Sequence, residues 1–345
     1  QQKDKKYIWH PYTQMHDYAT RDLLIIDKAK GLMLYDENGK SYYDTISSWW
    51  CILHGHNHPT ITEFVRRQLE RLDHVILAGT SHEPAILLAE KLVQLTPVSL
   101  NKVFFSDNGS TANEVALKMS LQYWRHTGHL ERKYFVSLEG GYHGDTIGTM
   151  SLGGVPDFHE EFAEILFKSF SIPSPHCYRC PMGQTKETCN LECLQPLATL
   201  LEEKGKQIAA MILEPLIQGA GGMRFYPPKY LTKVRNLTSQ HGVHLIFDEV
   251  ATGFARTGKM FALEHANVTP DFLCVSKGLT AGMLPMAATI TTDEIYAQFY
   301  GPYEENKTFY HGHTFTGNPL SASAALGSLQ VFEDENQCNR MEKTV

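Results

Sequence analysis

Short apolar runs alternate with longer amphipathic segments along most of the chain. Each run has the length of a buried strand and ends at or just before a serine or an acid, which predicts a strand opening into a loop. The predicted strands cover residues 102–106, 133–138, 209–214, 243–248 and 272–276, and the predicted helices cover 191–205, 230–241 and 319–333. This alternation predicts an α/β fold with a mostly parallel central sheet, whose ligands gather at the carboxyl ends of the strands.

Near the start of the chain the pattern changes to two short segments around a turn. Residues 32–35 and 42–44 flank an Asn38-Gly39 pair, a sequence typical of a tight β-hairpin. We therefore predict three parts: residues 1–58 with the hairpin, a large domain over 59–318, and a last segment over 319–345 that opens with a long helix.

Composition limits the classes of function. The chain has 345 residues, of which 42% are hydrophobic, so it can bury a large core. A net charge of −7 without a long basic run argues against nucleic acid or an anionic membrane as a partner. The sequence has no apolar stretch of membrane-spanning length and no apolar signal segment at its start. Seven cysteines, an odd number, suit reduced thiols, and we expect a cytoplasmic protein.

The first chemical signal is a lysine and an acid at the ends of two predicted strands. Lys277 follows the run 272–276, and Asp248 ends the run 243–248. These are the two protein contacts that a pyridoxal phosphate ring needs, because the lysine carries the cofactor and the acid keeps the ring nitrogen protonated. Taken alone, the pair is equally compatible with two solvated loop charges.

Three further segments support the cofactor interpretation. In 104–119 a strand runs into Gly109 and Ser110 and then into a helix, whose free amides can bind a phosphate. In 139–146 a glycine-rich loop carries Tyr142, which can lie over a heteroaromatic ring. In 311–318 Thr314 offers a hydroxyl beside Gly312. Each segment is ordinary in isolation.

Taken together in this order, the segments resemble the class III aminotransferases, pyridoxal phosphate enzymes of fold type I. The most specific stretch is 247–258, where Ala255 replaces a more usual glycine, and we expect that extra methyl to change little. Segments 9–15, 47–50 and 54–59 are similar to the members that act in biotin biosynthesis. The resemblance implies helices on both faces of the sheet and a smaller N-terminal part. It also implies that a C-terminal subdomain, with an arginine for the substrate carboxylate, is missing from the sequence.

The activity implied by the resemblance is ping-pong transfer of an amino group from S-adenosylmethionine to 8-amino-7-oxononanoate, which yields 7,8-diaminononanoate. Lys277 then carries the cofactor, Asp248 pairs with its ring nitrogen, and Tyr142 covers the ring. Gly109 and Ser110 bind the phosphate, and a second subunit of a homodimer contributes Thr314. The residues matched to substrate binding are Tyr12, Trp49, Trp50, Asp145, Arg256 and Gly312.

Several alternatives stay open at this stage. His313 is more similar to members that use lysine as the amino donor, whereas Tyr12, Trp49 and Trp50 favour S-adenosylmethionine. The two tryptophans also suit ordinary core packing, and Arg256 could pair with a structural acid. Another class III ω-aminotransferase, or a pyridoxal phosphate enzyme of a different reaction type, would share Lys277 and Asp248. A non-enzymatic alternative is a truncated chain that serves only as a dimerisation module.

Four cysteines fall close together in one loop, at positions 177, 180, 189 and 193. Their number suits a structural zinc ion or an iron–sulfur cluster. The spacing is irregular for zinc ribbons, however, and none of the catalytic segments needs a metal. We therefore predict loop cysteines without a metal.

Overall fold

The computed structural model describes residues 1–185 and 187–344. Its strands are β1 (Ile26–Lys30), β2 (Met33–Asp36), β3 (Ser41–Tyr43), β4 (Leu100–Ser106), β5 (Tyr134–Leu138), β6 (Phe170–Ile172), β7 (Ile208–Leu213), β8 (Ile217–Gln218), β9 (Arg224–Phe225), β10 (His244–Asp248), β11 (Phe272–Val275) and β12 (Ala287–Thr292).

The α-helices are α1 (Gln2–Tyr7), α2 (Met15–Thr20), α3 (Ser47–Trp50), α4 (Pro59–Leu69), α5 (Glu83–Leu95), α6 (Gly109–His126), α7 (Ile147–Met150), α8 (Pro156–His159), α9 (Gln195–Lys204), α10 (Pro228–Gln240), α11 (Asp293–Ala297), α12 (Pro319–Asp334) and α13 (Gln337–Glu342). Short 3-10 helices include Cys177–Arg179, Glu192–Leu194, Ala262–His265 and Lys277–Thr280. No helix in the described ranges is both long enough and apolar enough to cross a membrane.

Seven strands form the central sheet, in the order β4-β12-β11-β10-β7-β5-β6. All five strands predicted from the sequence belong to it. The pairs within β11-β10-β7-β5-β6 are parallel, whereas β12 is antiparallel to both β11 and β4. The prediction of a mostly parallel α/β sheet is therefore confirmed, and six strands place their carboxyl ends at one edge.

Both faces of this sheet are covered. Along β10, Leu245 and Phe247 belong to one buried cluster and Ile246 to another, because successive side chains point to opposite faces. Every residue of β7 and β10 is buried, which explains why both strands read as continuous apolar runs. Burial from both sides makes the strand ends rigid supports for side chains at the carboxyl edge.

The N-terminal hairpin forms as predicted, with β2 paired antiparallel to β3. Gly39 takes the left-handed φ of 79° that the turn requires. β1, which adds a third strand, was not predicted because its residues are mostly exposed and polar.

Two of the predicted helices match closely, and the third is shorter than predicted. α10 and α12 lie where the sequence placed them, but α9 begins at Gln195 after a 3-10 turn. Leu191, the predicted start, has a left-handed φ of 64° and cannot begin a helix. The division at 58 and 318 stays a proposal, and residue 345 of the last segment lies outside the described residues.

Candidate active site

Five strand ends meet around one cleft of about 660 Å³. β4 leads into Gly109 and Ser110, β5 into Tyr142, β7 into Glu214, β10 ends at Asp248, and β11 leads into Lys277. Of the residues proposed from the sequence, the cleft is lined by Gly109, Ser110, Tyr142, Asp145, Asp248, Lys277 and Trp50. Segments that are far apart in sequence thus converge because these five strands run in the same direction in one sheet and end at the same edge.

The carboxylate of Asp248 is buried and held in one orientation. Its Oδ2 accepts hydrogen bonds from His143 Nδ1 at 2.8 Å and from Asn113 Nδ2 at 2.9 Å. Within the described part of the chain, its Oδ1 accepts one hydrogen bond, from the backbone N–H of Val250 at 3.1 Å. An ionised carboxylate oxygen has two lone-pair sites, so Oδ1 can accept a further proton donor from the cleft.

Lys277 enters the cleft from the first residue of its 3-10 helix. Its φ is 39°, which is strained for a residue with a side chain and is held by the buried surroundings. Burial lowers the pKa of the ammonium, while the carboxylates of Asp248 and Glu214 oppose that decrease. The Nζ atom lies 5.0 Å from the ring centre of Trp50. The amine is therefore partly desolvated and close to both acids.

α6 begins at the rim of the cleft and supplies free amide groups. The Asn108 side chain accepts a hydrogen bond from the Thr111 N–H at 3.0 Å, which leaves the Gly109 and Ser110 amides for a ligand. A Cβ atom at position 109 would lie 2.6 Å from Val250 Cγ1, so only glycine fits here. The Ser110 hydroxyl forms a hydrogen bond with Thr146 Oγ1 at 2.7 Å.

The mouth of the cleft is aromatic and carries one exposed acid. Asp145 accepts hydrogen bonds from the hydroxyls of Tyr12 at 2.7 Å and Tyr142 at 3.0 Å. Burial raises the pKa of Tyr142, and the hydrogen bond from Tyr12 and the charge of Asp145 add to the increase. Tyr12 also meets Trp49 edge-on at 5.5 Å between ring centres. Tyr12 and Trp49 thus stand beside the cleft rather than in its wall.

Trp50 separates the cleft from a second cavity of about 460 Å³. It belongs to α3, which is not a regular helix because residues 47–50 have φ values of 51°, 45°, 70° and 68°. The Ser48 hydroxyl donates a hydrogen bond of 2.7 Å to Asp44 Oδ2, and this contact holds the turn. Arg256, in the second cavity, donates to the Trp50 carbonyl at 2.8 Å. The structure thus places Arg256 against a backbone oxygen, behind Trp50.

Gly312 and Thr314 lie outside the cleft of their own chain. Both are exposed, on the loop that precedes α12. Near them, His313 Nδ1 lies 2.8 Å from Oδ2 of Asp107, which does line the cleft. The loop therefore runs beside the cleft without entering it.

Three residues of the site were not singled out from the sequence. His143 and Asn113 hold Asp248, and Glu214 accepts hydrogen bonds from the N–H groups of Tyr142 at 3.2 Å and Gly219 at 2.8 Å. Burial raises the pKa of Glu214 to about 7, and the nearby charge of Asp248 adds to the increase. Glu214 ends a predicted strand, and that position was its only signal in the sequence.

The residues of the cleft suit pyridoxal phosphate. Free amides at Gly109 and Ser110 suit a phosphate, the Tyr142 ring suits a heteroaromatic ring, and Asp248 keeps an oxygen for a protonated nitrogen. A partly desolvated lysine completes the set. The fold and the site together define a pyridoxal phosphate-dependent enzyme of fold type I.

Comparison with known proteins defines the family. Residues 15–345 match the model of aminotransferase class-III, and the chain belongs to that family. It is 44% identical, over 99% of its own length and 76% of the relative's, to the adenosylmethionine-8-amino-7-oxononanoate aminotransferase of Geobacter sulfurreducens. The protein of the same name from Anoxybacillus flavithermus is 47% identical over 99% of this chain and 75% of its own.

Solved structures agree with this assignment. The crystal structure of the Methanocaldococcus jannaschii protein of that name matches with a TM-score of 0.94 and 44% identity, covering all of this chain and 76% of that one. The PLP-bound form of an amine transaminase from an uncultivated Pseudomonas species matches with a TM-score of 0.91 and 32% identity, over 96% of this chain and 76% of that one.

Proposed function

We propose that this enzyme transfers an amino group from S-adenosylmethionine to 8-amino-7-oxononanoate, forming the 7,8-diaminononanoate of biotin biosynthesis. The observation that carries the proposal is the placement of Lys277, Asp248 and Tyr142 around one cleft, with Tyr12, Asp145 and Trp50 at its entrance. The names of relatives that are 42–47% identical support the choice of substrates.

Pyridoxal phosphate, when bound, supplies a ring that stabilises negative charge on the carbon beside a substrate amine. Lys277 would hold the cofactor, and its amine is the base placed to take a proton from that carbon and return it. Because burial lowers the pKa of Lys277, a larger fraction of the amine is neutral near pH 7 than in water.

Asp248 would keep the cofactor nitrogen protonated through its free Oδ1 site. His143 and Asn113 fix the carboxylate so that it does not turn away or become solvated. Tyr142 would cover one ring face, and the amides of Gly109 and Ser110 would bind the phosphate.

We assign substrate contact to the aromatic entrance. Trp50 gives the cleft an apolar wall that suits an aliphatic chain, and Tyr12 and Trp49 give an edge that suits an adenine ring. Asp145 joins Tyr12 to Tyr142, and its negative charge suits a cationic substrate group. Arg256 would act through Trp50, whose carbonyl it holds.

The exposed loop that carries Gly312 and Thr314 supports a homodimer, which we propose as the active form. Both residues are exposed in one chain, beside an exposed Phe315. A second copy that covers this loop would bury the aromatic ring and bring Thr314 to a neighbouring phosphate site. We place the enzyme in the cytoplasm, since all seven cysteines are free thiols.

The donor is tested in a single half-reaction. Enzyme loaded with pyridoxal phosphate is mixed with S-adenosylmethionine or with lysine, and pyridoxamine phosphate is quantified by chromatography. The proposal expects saturable conversion by S-adenosylmethionine and none by lysine. Conversion by lysine alone, which His313 favours, would replace the donor and leave the aminotransferase assignment intact. No conversion by either donor contradicts the proposed reaction.

A further inference from the structure

Phe158 lies beside the aromatic entrance of the cleft, on the short helix α8. Its ring meets the ring of Tyr12 edge-on, at 5.2 Å between ring centres. It also meets the ring of Tyr142 edge-on, at 6.1 Å. Both distances lie in the range in which aromatic rings attract each other. Phe158 therefore contacts the two tyrosines that share Asp145 as their hydrogen-bond acceptor.

α8 is well supported, although it is only four residues long. His159, the residue after Phe158, is buried. Its ring occupies the space that a side chain at position 153 would need, and a glycine stands there. The buried His159 thus anchors α8 to the body of the protein, while the half-buried Phe158 faces the tyrosines.

Tyr12 depends on such support, because the segment that carries it lies on the surface. Every residue of α1 and α2, the helices on either side of Tyr12, is exposed or half-buried. Tyr12 has a left-handed φ of 52°, which is strained for a residue with a side chain and persists only where surrounding contacts hold it. Its ring is held by the hydrogen bond that its hydroxyl donates to Asp145 and by the edges of Trp49 and Phe158.

Tyr142 is less dependent on Phe158 than Tyr12 is. Its backbone N–H donates to the buried Glu214 at 3.2 Å, and its hydroxyl donates to Asp145 at 3.0 Å. These two contacts hold Tyr142 at both ends, from the buried side and from the entrance. Loss of the Phe158 ring should therefore move Tyr12 and leave Tyr142 in place.

Core packing does not explain Phe158. Within the described part of the chain, this residue belongs to neither of the two large clusters of the core, nor does it line the cleft itself. Its contacts with Tyr12 and Tyr142 are therefore contacts with the site rather than with the core. A variant without the ring should fold and should still bind the cofactor.

We propose that Phe158 is a positioning residue that fixes Tyr12 at the entrance and thereby sets the affinity for the amino donor. The proposal rests on the proposed function, in which Tyr12 and Trp49 contact the adenine ring of S-adenosylmethionine. Phe158 acts through Tyr12, so its removal should weaken donor binding and leave the chemistry at Lys277 unchanged.

The test is a double-mutant cycle on the half-reaction with S-adenosylmethionine, followed by stopped-flow absorbance of the enzyme loaded with pyridoxal phosphate. Phe158→Ala should raise the donor concentration at half-saturation about tenfold, because the aromatic contact that holds Tyr12 is lost. The rate at saturation and the affinity for pyridoxal phosphate should keep their wild-type values. In a Tyr12→Ala background, Phe158→Ala should have no further effect. Phe158→Tyr, which keeps the ring, should restore the wild-type half-saturation.

Phe162→Ala is the matched control, since Phe162 is an exposed phenylalanine in the 3-10 helix that follows α8. It should behave like the wild type. Two results would overturn the proposal. One is wild-type half-saturation in Phe158→Ala, and the other is full additivity of the effects of Phe158→Ala and Tyr12→Ala.

Failure of the proposed function gives a different result, because the wild type itself would then not react with S-adenosylmethionine. Hydrogen exchange of the loaded enzyme decides on Phe158 in that case. Exchange in peptides that cover α1 and α2 should be faster in Phe158→Ala than in the wild type and in Phe162→Ala, because Tyr12 no longer holds the segment. Equal exchange in the three proteins would refute the role of Phe158.

Discussion

Nδ1 of His143 lies 2.8 Å from Oδ2 of Asp248, and both side chains are buried. The two residues come from different strand ends, β5 and β10, which are separated in the sheet by β7. The Asn113 amide donates to the same oxygen from α6. Three elements thus fix one carboxylate, and this rigidity is what a partner for a charged ring nitrogen requires.

Replacement of His143 by Leu should weaken the site by removing one of the hydrogen bonds that hold the Asp248 carboxylate. Loss of a hydrogen bond to a buried charge costs about 1.5–3 kcal/mol, or roughly 10–100-fold in turnover or cofactor affinity. Cofactor titration followed by absorbance measures the affinity, separately from turnover. His126→Gln, at the far end of α6, is the control. Wild-type affinity and turnover in His143→Leu would show that the contact is only structural.

Asp248→Asn should leave cofactor attachment at Lys277 intact and slow proton transfer. An amide keeps the shape of the side chain but cannot hold the ring nitrogen charged. Loss of one aligned electrostatic group in an active site costs about 10²–10³-fold in rate. Stopped-flow absorbance of the half-reaction with S-adenosylmethionine measures the effect. An unchanged rate would remove Asp248 from the mechanism.

Glu214 should make stability depend on pH in a definite direction. Burial raises its pKa from 4.5 to about 7, so the native state keeps the proton that the unfolded state releases. The stability that the folded chain gains from the protonated Glu214 is therefore fully present below pH 4.5, and it is lost as the pH rises through 7. The free energy of unfolding should decrease by about 3 kcal/mol over this pH range.

Urea unfolding of the cofactor-free chain across that pH range tests the prediction. Glu214→Gln should flatten the decrease in stability, while Glu249, whose pKa is also raised by burial to about 7, keeps part of it. The exposed Glu90→Gln should behave like the wild type. A slope in Glu214→Gln that equals the wild-type slope would contradict the protonated state assigned to Glu214.

A shared site predicts complementation between two inactive variants. Lys277→Ala removes the catalytic amine, and Thr314→Ala removes the hydroxyl that we assign to the partner's phosphate site. A mixed dimer contains one site with both residues intact, so mixing should restore up to about half of the activity per mixed dimer. Refolding the two variants together and separately provides the comparison. A monomer in sedimentation experiments, with cofactor bound, would refute the shared site.

The sequence predicts those parts of the fold that are buried on both sides. β7 and β10 are apolar throughout because both faces are covered, so their runs are easy to recognise. β12 was not predicted, because it opens with two alanines, which are depleted in strands and shorten the β-branched run that follows them. It becomes an interior strand because its neighbours β4 and β11 pair with both of its edges.

The residues of the candidate site also fall into two groups, those that the sequence indicates and those that it does not. Lys277 and Asp248 stand at strand ends, where chemical type and position together are informative. His143, Asn113 and Glu214 act through contacts with residues far away in sequence, which no local pattern encodes. Ala255 was expected to change little, but its φ of 62° places it in the region that favours glycine. Its backbone conformation could be recognised only once the fold was known.

The most direct test of the whole account locates the cofactor on the chain. Borohydride reduction of the enzyme loaded with pyridoxal phosphate fixes the cofactor to the lysine that carries it, and peptide mass spectrometry identifies that lysine. The account predicts one pyridoxyl group per chain, on Lys277, and none in Lys277→Ala. A label on another lysine, or a label retained in Lys277→Ala, would contradict the central claim.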